Sequence, residues 1–307
     1  MAAIAVKDIS KKYLAGKSET VALHPTTFSV EQGELFGCIG PDGAGKTTLI
    51  RIMTTLLLAD EGTVTIAGLD AVRDYAAIRQ RTGYMPGKFS LYQDLSVEEN
   101  LRFFATIFKT QVEENMHLIY DIYKQLEPFK KRPAGKLSGG MKQKLALCCA
   151  MVHKPEVLFL DEPTTGVDAV SRKEFWDMLQ RLKQQGITIF VSTPYMDEAS
   201  LCDRVALIQE GRILSVDTPK NIIQQYPKRI LAAKADNMYA LLKQLKQQPY
   251  VEMAYPFGDY HHVVVEPDNH DAAEQIRALG ATEVMPCEPS IEDSFIMAMQ
   301  HKTNSTS

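Results

Sequence analysis

The sequence predicts an α/β fold in three parts. These are a mixed, largely parallel sheet with flanking helices, a helical subdomain inserted at about 88–152, and a small C-terminal α+β domain. Three observations carry that expectation. Short, almost wholly apolar runs alternate with helical stretches, a long helical pattern interrupts them after Ser96, and the order of elements changes from about Arg229.

Up to about residue 80, β-rich runs alternate with turn signals: IAVKDI, TFSV, LFGCIG, and TVTIAG after the breaker Asp60-Glu61-Gly62. LFGCI is nearly all apolar, as a strand buried on both faces must be. From Ser96 the apolar period becomes helical. Ser96 and Glu99 match a capping box, and Leu101, Phe104, Ala105 and Phe108 follow at i, i+3, i+4, i+7 spacing. The helical pattern runs to about Val152, broken near Pro128 and from Pro133 to Gly140. VLFL (157–160), ITIFV (187–191) and VALI (205–208) then read as buried strands, with a helix from about Ser171 to Gln185 between the first two. Strand, helix, strand in that rhythm implies parallel neighbours. The tail reads β-α-β-β-α-β, the ferredoxin-like split order, with SIEDSFIMAMQ as a last helix. The expected domains are therefore 1–227 and 228–300, with 301–307 a disordered tail.

The chain of 307 residues has room for two domains. Hydrophobic residues at 45% and charged residues at 23% exclude a disordered chain. With 34 Lys and Arg against 38 Asp and Glu, the net charge of −4 gives no basic field, and no nucleic-acid partner is expected. The longest apolar run, Leu145 to Val152, falls far short of the about 20 residues a spanning helix needs. MAAIAVKDISKKY alternates too quickly to be a secretion signal. Five scattered Cys without C-x-x-C spacing read as reduced cytosolic thiols, and the His residues show no metal spacing. His261 and His262, adjacent on a strand, point to opposite faces. Lys130-Lys131-Arg132 reads as a solvated turn.

Three motifs carry chemistry. Gly40-Pro41-Asp42-Gly43-Ala44-Gly45-Lys46-Thr47 fits G-x-x-x-x-G-K-[ST], directly after the LFGCI strand and before the helical TLIRIM run. In that context backbone N–H groups curl round phosphates, Lys46 reaches the β- and γ-phosphates, and the Thr47 hydroxyl is offered to Mg²⁺. Asp161 and Glu162 follow VLFL, at the strand end where parallel sheets bind ligands; there Asp161 can hold Mg²⁺ and Glu162 can polarise a water. Taken alone, the pair also fits helix capping. Ser138, Gly139 and Gly140 open the helix MKQKLALCCAMV and form a second anion cradle. Two chains face to face can use both cradles on one nucleotide.

The P-loop, LSGGMKQ, VLFLDEP, TTGVD and STPYMDEA, in this order within residues 1 to about 227, resemble the ATPase subunit of an ABC (ATP-binding cassette) transporter. GPDGAGKTTL, GYMPxKFSLY, GKLSGGMKQKL and the added C-terminal domain are most similar to ATPases of ABC-2 type multidrug exporters, the daunorubicin-resistance and YbhF-like group. The resemblance implies a P-loop ATPase cassette in which two cassettes, identical or different, sandwich two ATP molecules and drive separate ABC-2 type membrane subunits from the cytoplasmic face of the cell membrane. The joining surface is implied near Gly87 to Asp94 and the helical region after it. By the same resemblance Tyr13 stacks on adenine, although that position also fits a core aromatic. Gly40 to Gly45 with Lys46, Thr47 and Thr48 hold the phosphates, and Thr47 and Asp161 bind Mg²⁺. Glu162 is the catalytic base with Lys46 beside it, Ser138, Gly139 and Gly140 contact the partner's γ-phosphate, and Asp168 couples the two sites.

Two family positions differ. Where the family has a Gln after GYMP the chain has Gly87, and where it has a His after VST the chain has Pro194. Gly87 has no side chain and Pro194 lacks even a backbone donor. Gln93, six residues on in the same loop, is not assumed to substitute. One lost hydrogen bond to a charged group is worth about 1.5–3 kcal/mol, so two could slow hydrolysis roughly 10²- to 10⁴-fold. The alternatives are slow turnover by Glu162, Lys46 and Mg²⁺, or a degenerate cassette that binds ATP structurally, completes a partner's site or acts as a sensor. A third class, ABC proteins acting on ribosomes or DNA, usually has tandem cassettes or long coiled-coil insertions, neither of which is present.

Overall fold

The computed structural model describes residues 2–15, 18–88 and 90–303. The chain divides into two compact units, Met1–Pro219 and Lys220–Ser307. The first contains, in order, β1 (Ala2–Ala15), β2 (Ser18–Glu31), β3 (Leu35–Ile39), α1 (Lys46–Met53), β4 (Glu61–Ile66), β5 (Leu69–Asp70), α2 (Tyr75–Arg81), β6 (Thr82–Met85), α3 (Val97–Ile107), α4 (Met116–Tyr123), α5 (Gly139–Met151), β7 (Val157–Asp161), α6 (Ala169–Gln184), β8 (Thr188–Thr193), β9 (Arg204–Gln209) and β10 (Arg212–Asp217).

Two sheets form this unit. One is antiparallel, ordered β2-β1-β4-β5. The other is ordered β10-β9-β3-β8-β7-β6, parallel throughout except for β10. β3, β7 and β8 are buried along their whole length, which explains their apolar runs LFGCI, VLFL and IFV. A core between the sheets joins Ile4, Val6 and Val30 to Leu49, Ile50 and Met53 of α1. Phe28 stacks on Phe36 at 5.5 Å between ring centres, and Phe36 on Phe190 at 5.7 Å, tying β2, β3 and β8 together.

β1 and β2 are each a single strand of 14 residues rather than the short runs the pattern suggests. The register of β1 shifts between Val6 and Ile9 against β2 and between Lys7 and Ser10 against β4, and Asp8 has φ 51. That bulge changes which face each side chain takes, so the alternation breaks while the strand continues.

The helical subdomain lies between β6 and β7 in sequence. Its first helix opens with the expected capping box: Ser96 N–H donates to Glu99 Oε2 at 2.8 Å and Glu99 N–H to Ser96 Oγ at 3.3 Å. Asn100, fully buried, donates from Nδ2 to the carbonyls of Tyr92, Leu95 and Ser96 and accepts from Tyr92 N–H. One side chain thus fixes the loop that leads from Gly87 into the helices. Asn100→Ala takes this partner from the Tyr92 N–H and carbonyl and leaves the Leu95 and Ser96 carbonyls with only the backbone N–H groups of Ala134 and residue 100, at a cost of about 2 kcal/mol and a drop in Tm of about 4–8 °C by thermal denaturation.

The second unit holds most of α7 (Pro219–Gln224), then β11 (Arg229–Lys234), α8 (Met238–Leu245), β12 (Val251–Phe257), β13 (Tyr260–Val265), α9 (Ala272–Ala278), β14 (Glu283–Cys287) and α10 (Ile291–Thr303). Its antiparallel sheet is ordered β12-β13-β11-β14. Leu231, Ala233, Val263 and Val265 pack one face against Leu241 and Leu245 of α8 and Ile276 of α9. Ile230, Met253 and Val264 on the other face pack with Tyr226, Ile296 and Met297.

The boundary thus falls at Pro219/Lys220, earlier than the expected 227/228. Tyr226 belongs to the apolar cluster of the second sheet, and Ser294 Oγ donates to Ile222 O at 3.4 Å, so α7 and the turn after it pack with the second unit. Helix α10 also continues to Thr303, into the expected 301–307 tail; Asn304 to Ser307 lie outside the described residues.

Candidate functional site

The C-terminal ends of β3, β7 and β8 open on one crevice, and the first motif lines it. Gly40 N–H donates to Thr193 O at 3.3 Å, tying the loop to β8. A Cβ at Gly40 would stand 2.1 Å from Ile208 O, and one at Gly45, with φ 104, 2.6 Å from Ala22 O. Only glycine fits at either position. Asp42 and Gly43 are exposed at the tip, while Pro41 O accepts from Ala44 N–H and Ala44 O from Gly211 N–H.

Lys46 is buried and donates from Nζ to Gly40 O at 2.7 Å and Pro41 O at 2.9 Å. The same Nζ lies 3.1 Å from Glu162 Oε1. Thr47 Oγ1 donates to Asp161 Oδ2 at 2.9 Å, and Ser192 Oγ to Asp161 Oδ1 at 2.7 Å. Parallel pairing of β7 with β8, which sets Asp161 opposite Ser192, makes that second bond. Glu162 has φ 50, a strained conformation for a side-chain residue, held by N–H donation to Ser192 O at 3.0 Å. The Thr47 hydroxyl and Asp161 carboxylate, two hard oxygen donors beside a phosphate-shaped loop, suit Mg²⁺. Burial, and next the Asp161 charge, push the neighbouring Tyr84 phenol up, and burial pushes the Cys38 thiol up to about 12.

Tyr13 stands at the crevice edge, 40% exposed, its hydroxyl 3.4 Å from Thr48 Oγ1. That exposure removes the core alternative for this aromatic.

The second cradle forms a separate cluster. Ser138 is the N-cap of α5, accepting from Met141 N–H at 3.3 Å, and Ser138 and Gly139 are exposed. A Cβ at Gly140 would meet Ser171 Oγ at 2.8 Å, so the glycine lets α5 approach the start of α6. Asp168 caps α6, accepting from Val170 and Ser171 N–H, and those backbone bonds, Ser171 first, hold its carboxyl below the usual range.

Gly87 lies against Asp161: a Cβ there would be 3.0 Å from Asp161 O and 3.8 Å from Asp161 Cγ. Gln93 turns elsewhere, its backbone O accepting from Gly135 N–H and its Oε1 3.6 Å from where a Gly135 Cβ would be.

Sequence reasoning missed Ser192 and a buried clamp around Pro194. Glu198 accepts from Thr164 Oγ1 at 2.8 Å and Thr193 Oγ1 at 2.5 Å, while the Arg172 guanidinium lies 3.9 Å from it and over the Tyr195 ring. The readable signal was the polar Ser192-Thr193 ending an apolar strand. A third omission, α2, is a short helix in a region read as strands and turns.

A strand, a glycine loop with Lys and Thr, and an acidic pair at the end of β7, one strand beyond β8, define a P-loop nucleotide-binding cassette. The chain belongs to the ABC transporter family. The family model described as ABC transporter matches residues 23–165. The chain is 36% identical over 303 residues to the probable multidrug ABC transporter ATP-binding protein YbhF of Escherichia coli (strain K12), covering 96% of this chain and 52% of that protein. It thus spans about half the length of YbhF, and the match extends through the second unit. It is also 36% identical over 227 residues to the Nod factor export ATP-binding protein I of Burkholderia orbicola, covering 73% of each. Among solved structures, a dimeric ATP-binding cassette in a post-hydrolysis state bound to ADP and Pi superposes with a TM-score of 0.64 at 25% identity, over 70% of this chain and 98% of the other.

Proposed function

We propose that the chain is the ATP-binding and ATP-hydrolysing subunit of an ABC exporter, driving separate ABC-2 type membrane subunits from the cytoplasmic face of the membrane. The observation that carries this reading is the connected set Lys46–Glu162 and Thr47–Asp161–Ser192 at the mouth of the glycine loop. Lys46 exchanges its carbonyl partners for the β- and γ-phosphates of ATP. Thr47 and Asp161 hold Mg²⁺, which supplies positive charge to the phosphate oxygens. Glu162 accepts a proton from the attacking water, and Tyr13 stacks on adenine. Ser138, Gly139 and Gly140 complete the site of a second cassette, and Asp168 borders that junction. Among the described residues no helix is long and apolar enough to cross a membrane, in keeping with membrane subunits on other chains. The relatives' printed names include a multidrug transporter and a Nod factor exporter at equal identity, so substrate choice belongs to those subunits. Efflux of drugs or other small molecules is the reading for this chain.

A second reading, a degenerate cassette that binds ATP and completes a partner's site, is favoured by Gly87, Pro194 and the averted Gln93. Equilibrium ATP binding tests both. Lys46→Ala is expected to abolish tight binding, and Tyr13→Ala to weaken it about 10-fold, the worth of one stacked base. Unchanged affinity in both variants would remove the nucleotide site from this crevice.

A further inference from the structure

The second unit carries a side-chain constellation that nucleotide chemistry does not use. Cys287, at the end of β14, places Sγ 3.6 Å from His262 Nε2 on β13. His262 Nδ1 in turn lies 2.6 Å from Asp293 Oδ1 on α10. Asp293 is fully buried and also accepts from Tyr255 OH at 2.5 Å and from Ser290 N–H and Oγ, each at 2.6 Å. The imidazole is clamped flat against the Phe257 ring, 3.9 Å between centres. A thiol, an imidazole and a buried carboxylate in line are the arrangement that turns a weak nucleophile into a working one.

We propose that Cys287 is a base-activated thiol that exchanges with small-molecule disulfides, with His262 as its proton acceptor and Asp293 as the residue that positions His262. The hydrogen bonds decide the tautomer. Burial alone would raise the Asp293 carboxyl, but bonds from His262, Ser290 and Tyr255 outweigh it and hold the group below the usual carboxylate range. An anionic Asp293 accepts a hydrogen bond from His262 Nδ1–H, which keeps the proton on Nδ1 and leaves Nε2 as a lone pair facing the sulfur. Burial first, then the Asp293 and Glu288 charges, push the Cys287 thiol up, so it rests as S–H, shared with Glu288 O at 3.3 Å. In the exchange the S–H proton passes to His262 Nε2 and Sγ attacks one sulfur of the disulfide. The S–S bond breaks, and the departing thiolate leaves as a thiol with the proton from His262. Cys287 is half-buried, whereas Cys38, Cys148, Cys149 and Cys202 are buried. Among the described residues no three His, Cys, Asp or Glu are arranged to hold a metal ion, so the pair does not belong to a metal site.

The test uses the full chain with oxidised glutathione at pH 7 and pH 10, the modified cysteine being mapped by mass spectrometry. Cys287 is expected to react first. His262→Gln should slow it at pH 7 by about 10²-fold, the usual share of a general base, and far less at pH 10, where hydroxide makes the thiolate. Asp293→Asn should slow the pH 7 reaction in the same direction. A variant that merely loosened the second unit would instead expose Cys287, the cysteine of that unit, and speed its modification at both pH values. Preferred modification of another cysteine, or an unchanged pH 7 rate in His262→Gln, overturns the proposal.

Discussion

Pro194→His is expected to raise steady-state Mg²⁺-ATP hydrolysis by the purified chain about 10- to 150-fold, which is one hydrogen bond to a charged group at about 1.5–3 kcal/mol converted to rate. The position is well placed for that effect. Pro194 directly follows Thr193, the end of the strand whose Ser192 holds Asp161, and the Glu198 clamp on Thr193 and Thr164 fixes the turn. A histidine there would start from a rigid support. Gly87→Gln is a less clean gain, because its Cβ would press on Asp161 O at 3.0 Å and the loop must yield by a few tenths of an ångström. It is therefore expected to add less than Pro194→His, and to add only in that background. Turnover of the natural chain near the usual enzyme median of about 10 s⁻¹, with no gain in Pro194→His, would mean that the residues present suffice, and the degenerate reading would fall.

How far a feature could be read in advance depends on how local its signal is. The glycine loop was legible because strand, loop and helix are contiguous and each has its own letters; Lys46 and Thr47 needed no distant information. The capping box at Ser96 was legible for the same reason, and so was the order of the second unit, whose turns separate strands and helices within short stretches. The partners of those residues were not. Ser192 meets Asp161 only because β7 and β8 pair in one register, and Glu198 is buried only because two threonines from separate segments converge on it. The length of β1 and β2 was hidden by a bulge that breaks the alternation without ending the strand. The domain boundary was misplaced because Tyr226 and Ile222 join the second unit through contacts with residues far along the chain. Gln93 shows the same limit from the other side. Proximity in sequence made it a candidate stand-in for the missing glutamine, and its packing against Gly135 turns it away.

Ser138→Arg and Glu162→Gln should each abolish hydrolysis, and a mixture of the two variants should recover it. The two cradles explain why. Lys46, Thr47, Asp161 and Glu162 form one cluster, while Ser138, Gly139 and Gly140 lie at the exposed start of α5 against α6. If a nucleotide is closed between them by two chains, each site draws its base from one chain and its signature serine from the other. Loss of a general base costs about 10²- to 10⁴-fold in rate, and an arginine at the second cradle blocks the γ-phosphate outright. A mixed dimer then has one site with both groups intact and one with neither. Random pairing at equal amounts makes half the dimers mixed, so about a quarter of the sites, and of the activity, should return. The experiment is best run in the Pro194→His background, where the signal is larger. Recovery near that fraction requires two chains per nucleotide and makes this cassette a catalytic half as well as a binding half. No recovery, with both variants still binding ATP, would mean that each chain works alone or serves a different partner, and the homodimeric motor would be excluded.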